Sequence, residues 1–347
     1  MDIKVGIIGL GRGGFGMQCS ELDQKKDRFR IVAGCDIYAP WRDRMKERYP
    51  DCRLYGRIEE LLEDSTVELV SIATRSVDHF DHAILALNAG KQVLVDKPMC
   101  INAKQAEQLQ AIAKRSAGRL FVRHNRRFDP DFLHVKEIID SGLLGYVHTV
   151  KLARLGYSRR CDWQTLKENG GGQLLNWGPH LIDQGLQLAD APRTPLKGIW
   201  ADCKRLVAGG DCEDHVKVIL IGSNGCLVDI EISGAAKVSV PEYTVLGTRG
   251  SLVLSLNEAT IELNTLDPSV ALDEVKVDDG VPGGHTMQTQ NALRWIHKTL
   301  AIAPSKKSDF WDELYRALVH QTEFSVTLEQ AVEVMKVVSF AKQQTGF

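Results

Sequence analysis

The stretch KVGIIGLGRGGF, residues 4–15, joins an apolar run directly to a Gly-x-Gly-x-x-Gly loop. Such a loop needs Gly9 for a tight turn after a strand, Gly11 so that the backbone can approach a pyrophosphate, and Gly14 so that the next helix packs closely on the sheet. A side chain at any of the three positions would obstruct that task. The stretch therefore predicts a strand followed by a nucleotide-binding loop.

The helix after this loop is predicted over residues 13–22. Phe15, Cys19 and Leu22 recur at i, i+4 and i+7, which indicates one buried stripe. The first N–H groups of such a helix point toward the phosphates of a bound nucleotide.

A second buried strand, predicted over residues 29–35, leads to Asp36. An acidic side chain at this position accepts hydrogen bonds from the adenosine ribose hydroxyls, and its charge repels a 2′-phosphate. The spacing therefore predicts NAD as the cofactor, with NADP less favoured. Arg42 and Arg44 follow closely enough to keep NADP open as an alternative.

The chain has 347 residues, which suggests roughly two domains. Its formal net charge of −2 gives no basic footprint for nucleic acid, and no apolar stretch is long enough to span a membrane. The N-terminus runs straight into the first strand, so no secretory signal is expected. Eight scattered cysteines without a Cys-x-x-Cys pair favour reduced thiols in a cytoplasmic protein over disulfides or a metal site.

Residues 1–123 alternate short apolar runs with helical patterns, as a doubly wound parallel sheet with crossover helices requires. Residues 124–347 change to longer strands with close turns such as 222–225, which favour a large, mainly antiparallel open sheet. The tail over 310–343 returns to helical spacing. The sequence thus predicts an α/β Rossmann domain followed by an α+β domain, whose predicted strands cover 146–155, 196–206, 216–221, 227–232, 243–246 and 251–254.

Several separate motifs resemble those of the glucose-fructose oxidoreductase, inositol dehydrogenase and MocA group of NAD(P)-dependent oxidoreductases. They are the opening glycine loop, Thr74 with His79, Ala89-Gly90-Lys91 before Asp96-Lys97-Pro98, Asn125 to Phe128, the run 170–180 and the turn 247–250. The resemblance runs nearly end to end. It implies a Rossmann domain and a second domain whose open sheet carries the substrate on one face. It also implies a homodimer or homotetramer formed through the other face, and C-terminal helices that pack back toward the first domain.

Three departures from the family pattern matter. The usual Glu-Lys-Pro is Asp96-Lys97-Pro98, which keeps the lysine. The Pro and Asn that commonly follow the threonine are Arg75 and Ser76, so contacts to the nicotinamide half are expected to differ. Where inositol dehydrogenase-like members have an aspartate four residues before the histidine, this chain has Asn176. An amide neither takes a proton nor stabilises an imidazolium by charge.

Oxidation of a secondary alcohol by nicotinamide needs a base near the hydroxyl and a group that stabilises the developing alkoxide. Lys97 follows a parallel strand at the crevice where ligands bind in such sheets, and its ammonium can polarise the oxygen. His180 is near a predicted helix N-terminus, where the dipole favours the neutral imidazole that accepts a proton. We expect His180 as general base, Lys97 as electrostatic partner, and Asn176 as a hydrogen-bonding residue for a second hydroxyl.

The predicted cofactor contacts are Gly9, Leu10, Gly11, Arg12, Gly13, Gly14, Asp36, Ile37, Thr74, Arg75, His79, Asp96, Lys97 and Asn125. The predicted substrate contacts are Lys97, Arg126, Arg154, Trp163, Asn176 and His180. For the arginines, surface or interdomain ion pairs stay an alternative, and for Trp163 a place in the core.

Together, these features predict an NAD-dependent oxidoreductase acting on a ring hydroxyl or ketone of a small-molecule sugar, glycoside or cyclitol. Two alternatives stay open. A related NAD-dependent glycoside hydrolase would oxidise, eliminate and re-reduce its substrate without net redox change. A non-enzymatic sensor would keep the dinucleotide fold and regulate a partner; loss of Lys97 or His180 would favour it, and both are present.

Overall fold

The computed structural model describes residues 2–190, 195–255, 259–272, 293–302 and 309–347. Within these ranges the chain builds two sheets. The first is a six-stranded sheet in the order β3-β2-β1-β4-β5-β6, with every neighbouring pair parallel. Its strands are β1 (Ile3–Ile8), β2 (Phe29–Cys35), β3 (Arg53–Tyr55), β4 (Leu69–Ile72), β5 (Gln92–Asp96) and β6 (Leu120–Arg123).

The order of this sheet determines where a ligand can bind. The chain moves outward on one side of β1 through β2 and β3, and on the other side through β4, β5 and β6. The carboxyl ends of β1, β4 and β5 therefore meet at the point where the strand order reverses, which is the ligand crevice of such sheets. The predicted Rossmann architecture of the first domain is confirmed.

The helices of this domain are α1 (Cys19–Leu22), α2 (Ala39–Arg48), α3 (Ile58–Glu63), α4 (His79–Asn88) and α5 (Ala103–Ala113). A π-helical segment, Arg12–Gln18, precedes α1, so the predicted helix after the glycine loop is present but starts with wider turns. Phe15, Cys19 and Leu22 are buried, as the spacing predicts.

The second sheet has eight strands in the order β14-β13-β12-β11-β7-β10-β9-β8. Among the described pairs only β7 and β10 are parallel, so the mainly antiparallel prediction is confirmed. The strands are β7 (Val147–Leu155), β8 (Leu196–Lys204), β9 (His215–Gly222), β10 (Leu227–Ser233), β11 (Tyr243–Gly247), β12 (Gly250–Ser255), β13 (Thr260–Leu266) and β14 (Trp295–Ala301).

The sequence reasoning missed β13 and β14. The pairing of β13 with β12 and β14 extends the sheet toward an edge, where β14 leaves most of its residues exposed on both faces. The exposed β14 has no hydrophobic alternation to detect, whereas β13 alternates buried Ile261 and Leu263 with less buried residues, a signal that was overlooked.

Helix α8 (Gly178–Leu188) lies on the second sheet and positions the residues of greatest interest. A Cβ at Gly185 would lie 2.8 Å from Val228 Cγ1, so this glycine lets the helix approach β7 and β10 closely. The short α7 (Gln173–Asn176) precedes α8, and α6 (Pro130–Asp140) packs against it.

Two C-terminal helices, α9 (Phe310–Val319) and α10 (Leu328–Thr345), contact the first sheet and its helices. The Trp311 ring on α9 packs edge-on against Phe29, with centroids 5.5 Å apart. Ser339 on α10 accepts a hydrogen bond from the Ala103 N–H at the start of α5, at 2.6 Å. The tail thus packs against the first domain, and α10 also contacts β8 of the second sheet.

Candidate active site

The glycine loop leaves room only where a phosphate group needs it. Gly9 has φ +91°, and a Cβ there would lie 2.7 Å from the Ala73 carbonyl oxygen. A Cβ at Gly14 would lie 2.0 Å from the carbonyl oxygen of Gly9. A Cβ at Gly11, in contrast, would meet nothing within 4 Å. The open backbone at Gly11 and the adjoining helix start, with the exposed Arg12, fit a pyrophosphate.

Asp36 stands at the end of β2 with its carboxylate fixed by backbone donors. Oδ2 accepts a hydrogen bond from the Leu10 N–H at 2.8 Å, and Oδ1 accepts one from the Tyr38 N–H at 2.9 Å. Each carboxylate oxygen retains capacity for a further hydrogen bond, as ribose recognition requires. Ile37 is 76% exposed beside it, where an adenine could lie.

The two arginines that kept NADP open do not pair with this carboxylate. Arg42 Nη1 donates to the carbonyl oxygens of Asp36 and Ile37, at 2.7 and 3.1 Å. Arg44 stacks over the Phe15 ring, 4.3 Å from its centroid. Neither guanidinium offsets the charge on Asp36 directly, so its repulsion of a 2′-phosphate is retained.

The segment after β4 is occupied by contacts within the protein. Thr74 Oγ1 lies 3.0 Å from His82 Nδ1. Arg75 donates to Asp78 Oδ2 at 3.0 Å and to Asn169 Oδ1, beyond β7, at 2.8 Å. The Arg75 side chain therefore connects the two domains, and its Nη2 stays available for the predicted contact to the cofactor.

His79 is 2% exposed and both of its ring nitrogens face carbonyl oxygens. Nδ1 lies 2.7 Å from the Pro98 oxygen, and Nε2 lies 3.1 Å from the Thr74 oxygen. The ring thus ties the end of β4 to the segment after Lys97. Both ring nitrogens already face acceptors within the protein, and the predicted contact of His79 with the cofactor stays a prediction.

Lys97 reaches from the end of β5 to α7, the short helix that precedes α8 in the second domain. Its Nζ donates to the Asn176 carbonyl oxygen at 2.8 Å, and its N–H donates to Asp96 Oδ1 at 2.8 Å. Burial lowers the pKa of Lys97 to about 8; Asp96 opposes this change, while the cations Arg123, Arg126 and Arg160 add to it. The ammonium therefore predominates at neutral pH and is lost at mildly alkaline pH.

His180 is 7% exposed in the first turn of α8, and its Nδ1 has no hydrogen-bond partner among the described residues. Burial lowers the pKa of His180 well below 6.5, and Lys97 and Arg126 lower it further. The neutral ring that the sequence predicted is therefore favoured here. The main physical cause is burial among cations, which the helix-dipole argument did not include.

Trp177 lies between His180 and two arginines. Its ring centroid is 5.8 Å from that of His180, and the guanidinium carbons of Arg126 and Arg154 lie 4.5 and 4.4 Å from it. Arg126 also pairs with Asp129 at 2.7 Å. Trp177 is only partly buried and joins two predicted substrate contacts to the predicted base.

Arg123 is a buried residue of this region that sequence reasoning missed. It is 2% exposed, its Nη2 donates to Glu21 at 2.6 Å, and its Nη1 lies 3.8 Å from Asp96 Oδ1. Glu21 also accepts a hydrogen bond from Trp311 Nε1 at 2.7 Å. A charged residue that ends the apolar run Leu-Phe-Val was the available signal.

The remaining predicted contacts are more dispersed. Asn125 follows β6 in a 3₁₀ turn and is partly buried. Trp163 is 38% exposed in another 3₁₀ turn, Trp163–Thr165, and has no described ring contact with Trp177 or His180. Lys97, Asn176, His180, Arg126 and Arg154 are thus the predicted residues that surround one centre.

Within the described ranges, no group of three or more His, Cys, Asp or Glu side chains could hold a metal ion. The eight cysteines all lie in these ranges as free thiols, and only Cys161 is exposed. None of the described helices is long and apolar enough to cross a membrane.

Comparison with known families matches both halves of the chain. Residues 3–124 match an oxidoreductase family with an NAD-binding Rossmann fold, and residues 132–253 match the GFO/IDH/MocA C-terminal domain.

Named relatives and solved structures agree with these matches. The scyllo-inositol 2-dehydrogenase (NADP(+)) of Bacillus subtilis is 32% identical over 201 residues, 57% of this chain and 55% of that protein. The D-glucoside 3-dehydrogenase of Escherichia coli is 26% identical over 196 residues, 55% of each chain. The crystal structure of an NAD-binding protein from Listeria innocua matches with a TM-score of 0.84 and 26% identity, covering 100% of this chain and 95% of that one.

Proposed function

Because the chain belongs to the Gfo/Idh/MocA family of NAD(P)-dependent oxidoreductases, we propose that it moves a hydride between nicotinamide and a ring hydroxyl or ketone of a sugar, glycoside or cyclitol. The observation that carries this proposal is the contact of Lys97 Nζ with the Asn176 carbonyl oxygen at 2.8 Å. This contact joins the end of β5, beside the glycine loop, to the end of α7, which leads directly into the helix α8 that carries His180. The relatives that act on an inositol and a glucoside support a polyhydroxylated ring as substrate.

The proposed cofactor is NAD rather than NADP. Gly9, Gly11 and Gly14 would hold the pyrophosphate, and Asp36 would accept hydrogen bonds from the adenosine ribose. Bound NAD supplies the nicotinamide ring that accepts the hydride. The carboxylate at Asp36, held by two backbone N–H groups and unpaired with Arg42 or Arg44, supports this preference.

In the proposed mechanism, Lys97 and His180 share the proton and charge chemistry. The Lys97 ammonium donates a hydrogen bond to the substrate oxygen and stabilises the negative charge that develops there. The neutral His180 imidazole accepts the hydroxyl proton, and in the reverse direction it returns that proton to the alkoxide. Burial, Lys97 and Arg126 disfavour a lasting imidazolium, so the proton that His180 accepts is released to solvent water in the crevice after the hydride has moved.

Asn176 has a binding role in this proposal. Its amide can donate and accept hydrogen bonds with a second substrate hydroxyl, but it carries no charge that would stabilise protonated His180. Among the candidate site residues, Arg126 and Arg154 would orient the ring together with Trp177, and a substrate contact by Trp163 stays a prediction.

We also propose a cytoplasmic homodimer or homotetramer that forms through the outer face of the second sheet. Trp200 on β8 and Trp295 on β14 are 49% and 54% exposed, while Val216 and Val218 of β9 point into the core. Large exposed aromatic side chains on one sheet face are typical of an interface.

The experiment that tests the function follows NADH absorbance with purified protein, NAD and a panel of monosaccharides, glycosides and inositols, while the products are analysed in parallel. Accumulating NADH together with a keto product supports the dehydrogenase. Cleavage of a glycoside without net NADH would favour the hydrolase alternative, and binding of NAD without any reaction across the panel would favour a sensor.

A further inference from the structure

A pocket lined by Trp177 contains an arginine whose guanidinium N–H groups have no hydrogen-bond acceptor among the described residues. Arg154, near the end of β7, is half-buried and stacks over Trp177, yet it forms no hydrogen bond or ion pair with any described residue. It lies on the helix-facing side of its strand, with Val150 and Leu152, so it points away from the exposed outer face. A desolvated guanidinium with five unused N–H donors is a costly arrangement unless an acceptor binds there.

The acidic side chains that line the same pocket are Asp129, Asp131 and Glu242. Asp129 forms an ion pair with Arg126; burial raises the pKa of Asp129 to about 6, while Arg126 and Arg154 lower it. Asp131 stands in the first turn of α6, where the helix dipole favours a negative charge. Glu242 has an interaction of its own. Arg154 thus attracts Asp129 and stacks on Trp177, but no described carboxylate forms a hydrogen bond or ion pair with its guanidinium, whose N–H groups stay available to a ligand.

Several cations act on the two reacting groups. Burial is the main cause that lowers the pKa of His180 and of Lys97; Lys97, Arg126 and Arg123 lower the pKa of His180 further, and Arg123, Arg126 and Arg160 lower that of Lys97, which Asp96 raises. A single lysine suffices to stabilise an alkoxide. The additional cations near the centre therefore favour a substrate that brings its own negative charge.

We propose that the sugar or cyclitol substrate carries an anionic group, a carboxylate or a phosphate ester, which binds Arg154 on the Trp177 side of the pocket. Arg126 supplies a second guanidinium to the same group, because Asp129 occupies only its Nη1. Planar guanidinium groups match both anions by paired hydrogen bonds. The inference rests on the proposed function and specifies its substrate class.

The test compares substrates that differ only in this charge: glucose, glucuronate, the methyl ester of glucuronate and glucose 6-phosphate, with the matching galactose series and an inositol and its phosphate. The kcat/KM of each is measured with NAD for the wild-type protein and for Arg154→Gln, Arg154→Lys and Arg115→Gln. Arg115 is an exposed arginine beyond α5 and controls for the loss of one positive charge. The panel also separates carboxylate from phosphate.

We expect an acid or phosphate to exceed its neutral parent and ester by roughly tenfold to a hundredfold in kcat/KM. Arg154→Gln should reduce the ratio of kcat/KM between charged and neutral substrates to about one. Arg154→Lys should retain part of the wild-type ratio, and Arg115→Gln should leave it unchanged. Neutral substrates that equal the charged ones, or a ratio that survives in Arg154→Gln, would overturn the inference while the oxidoreductase function stands.

A second readout keeps the inference testable if no compound is oxidised. Binding of the same compounds to the protein with NADH is measured by calorimetry. Tighter binding of the acids and phosphates that Arg154→Gln abolishes would support the anion site even though the proposed reaction had failed. Equal or absent binding across each series would refute the anion site.

Discussion

Replacement of Asn176 by aspartate should change the pH dependence of the reaction. Asn176 precedes His180 by four residues along a nearly continuous helical segment, and its carbonyl oxygen contacts Lys97 Nζ at 2.8 Å. A carboxylate at this position would favour the charged forms of both Lys97 and His180. Asn176→Asp should therefore raise the pKa of each group, with Asn176→Leu as an uncharged variant of similar size.

The size of the effect follows from the spacing. Residues four apart on a helix have side chains about 6 Å apart. Two unit charges at about 6 Å interact by roughly 3 kcal/mol at an effective dielectric constant of about 20, which corresponds to roughly two pH units. Solvent in the open crevice weakens this interaction, so we expect a change of about one to two pH units.

The assay is kcat measured from about pH 5 to pH 10 for the wild-type protein and both variants. In the wild type, activity should hold across neutral pH, because His180 is neutral there, and should fall as Lys97 loses its charge through its pKa of about 8. Asn176→Asp should shift the alkaline decline of kcat to higher pH, because the pKa of Lys97 rises. It should also shift the acidic decline of kcat upward toward neutral pH, because His180 then takes up a proton more readily. An unchanged profile would place residue 176 outside the proton path, and wild-type activity that rises through pH 8 would make Lys97 the base.

Two further substitutions test the cofactor site and the role of Lys97. Lys97→Met should retain NAD binding, measured by fluorescence titration, and lose about two to four orders of magnitude in kcat, because no cation then faces the developing alkoxide; near-normal turnover would contradict this role. Asp36→Ser should raise the KM for NAD by roughly tenfold or more, because the ribose hydrogen bonds are lost, and should reduce the preference of the protein for NAD over NADP. Asp36→Asn is the control that keeps one acceptor oxygen. Unchanged KM values for both cofactors would argue against ribose recognition by Asp36.

Local signals in the sequence were sufficient for most of the first domain. Strand β2 covers Phe29–Cys35, as the apolar run before Asp36 predicted. The glycine loop was predictable because each glycine answers a steric requirement within a few residues, such as the contact of Gly14 with Gly9. The π-helical turns of Arg12–Gln18 carry no comparable local signal.

Residues that depend on distant partners were harder to predict. Arg75 contacts Asn169, which is 94 residues away in the sequence, and Arg123 pairs with Glu21, which is 102 residues away. A local sequence pattern cannot predict pairs that are so far apart. The neutral state of His180 was predicted, yet its main cause is burial beside cations from other elements.

The central claim is that a hydride leaves a ring carbon of the substrate and stays on nicotinamide as net oxidation. The most direct measurement uses the best substrate of the panel with deuterium at the oxidised carbon, and follows the label by mass spectrometry while NADH is quantified. The account predicts one deuterated NADH for each keto product formed, with a slower rate than for the unlabelled substrate. Deuterium that returns to a cleaved sugar without accumulation of NADH would contradict it.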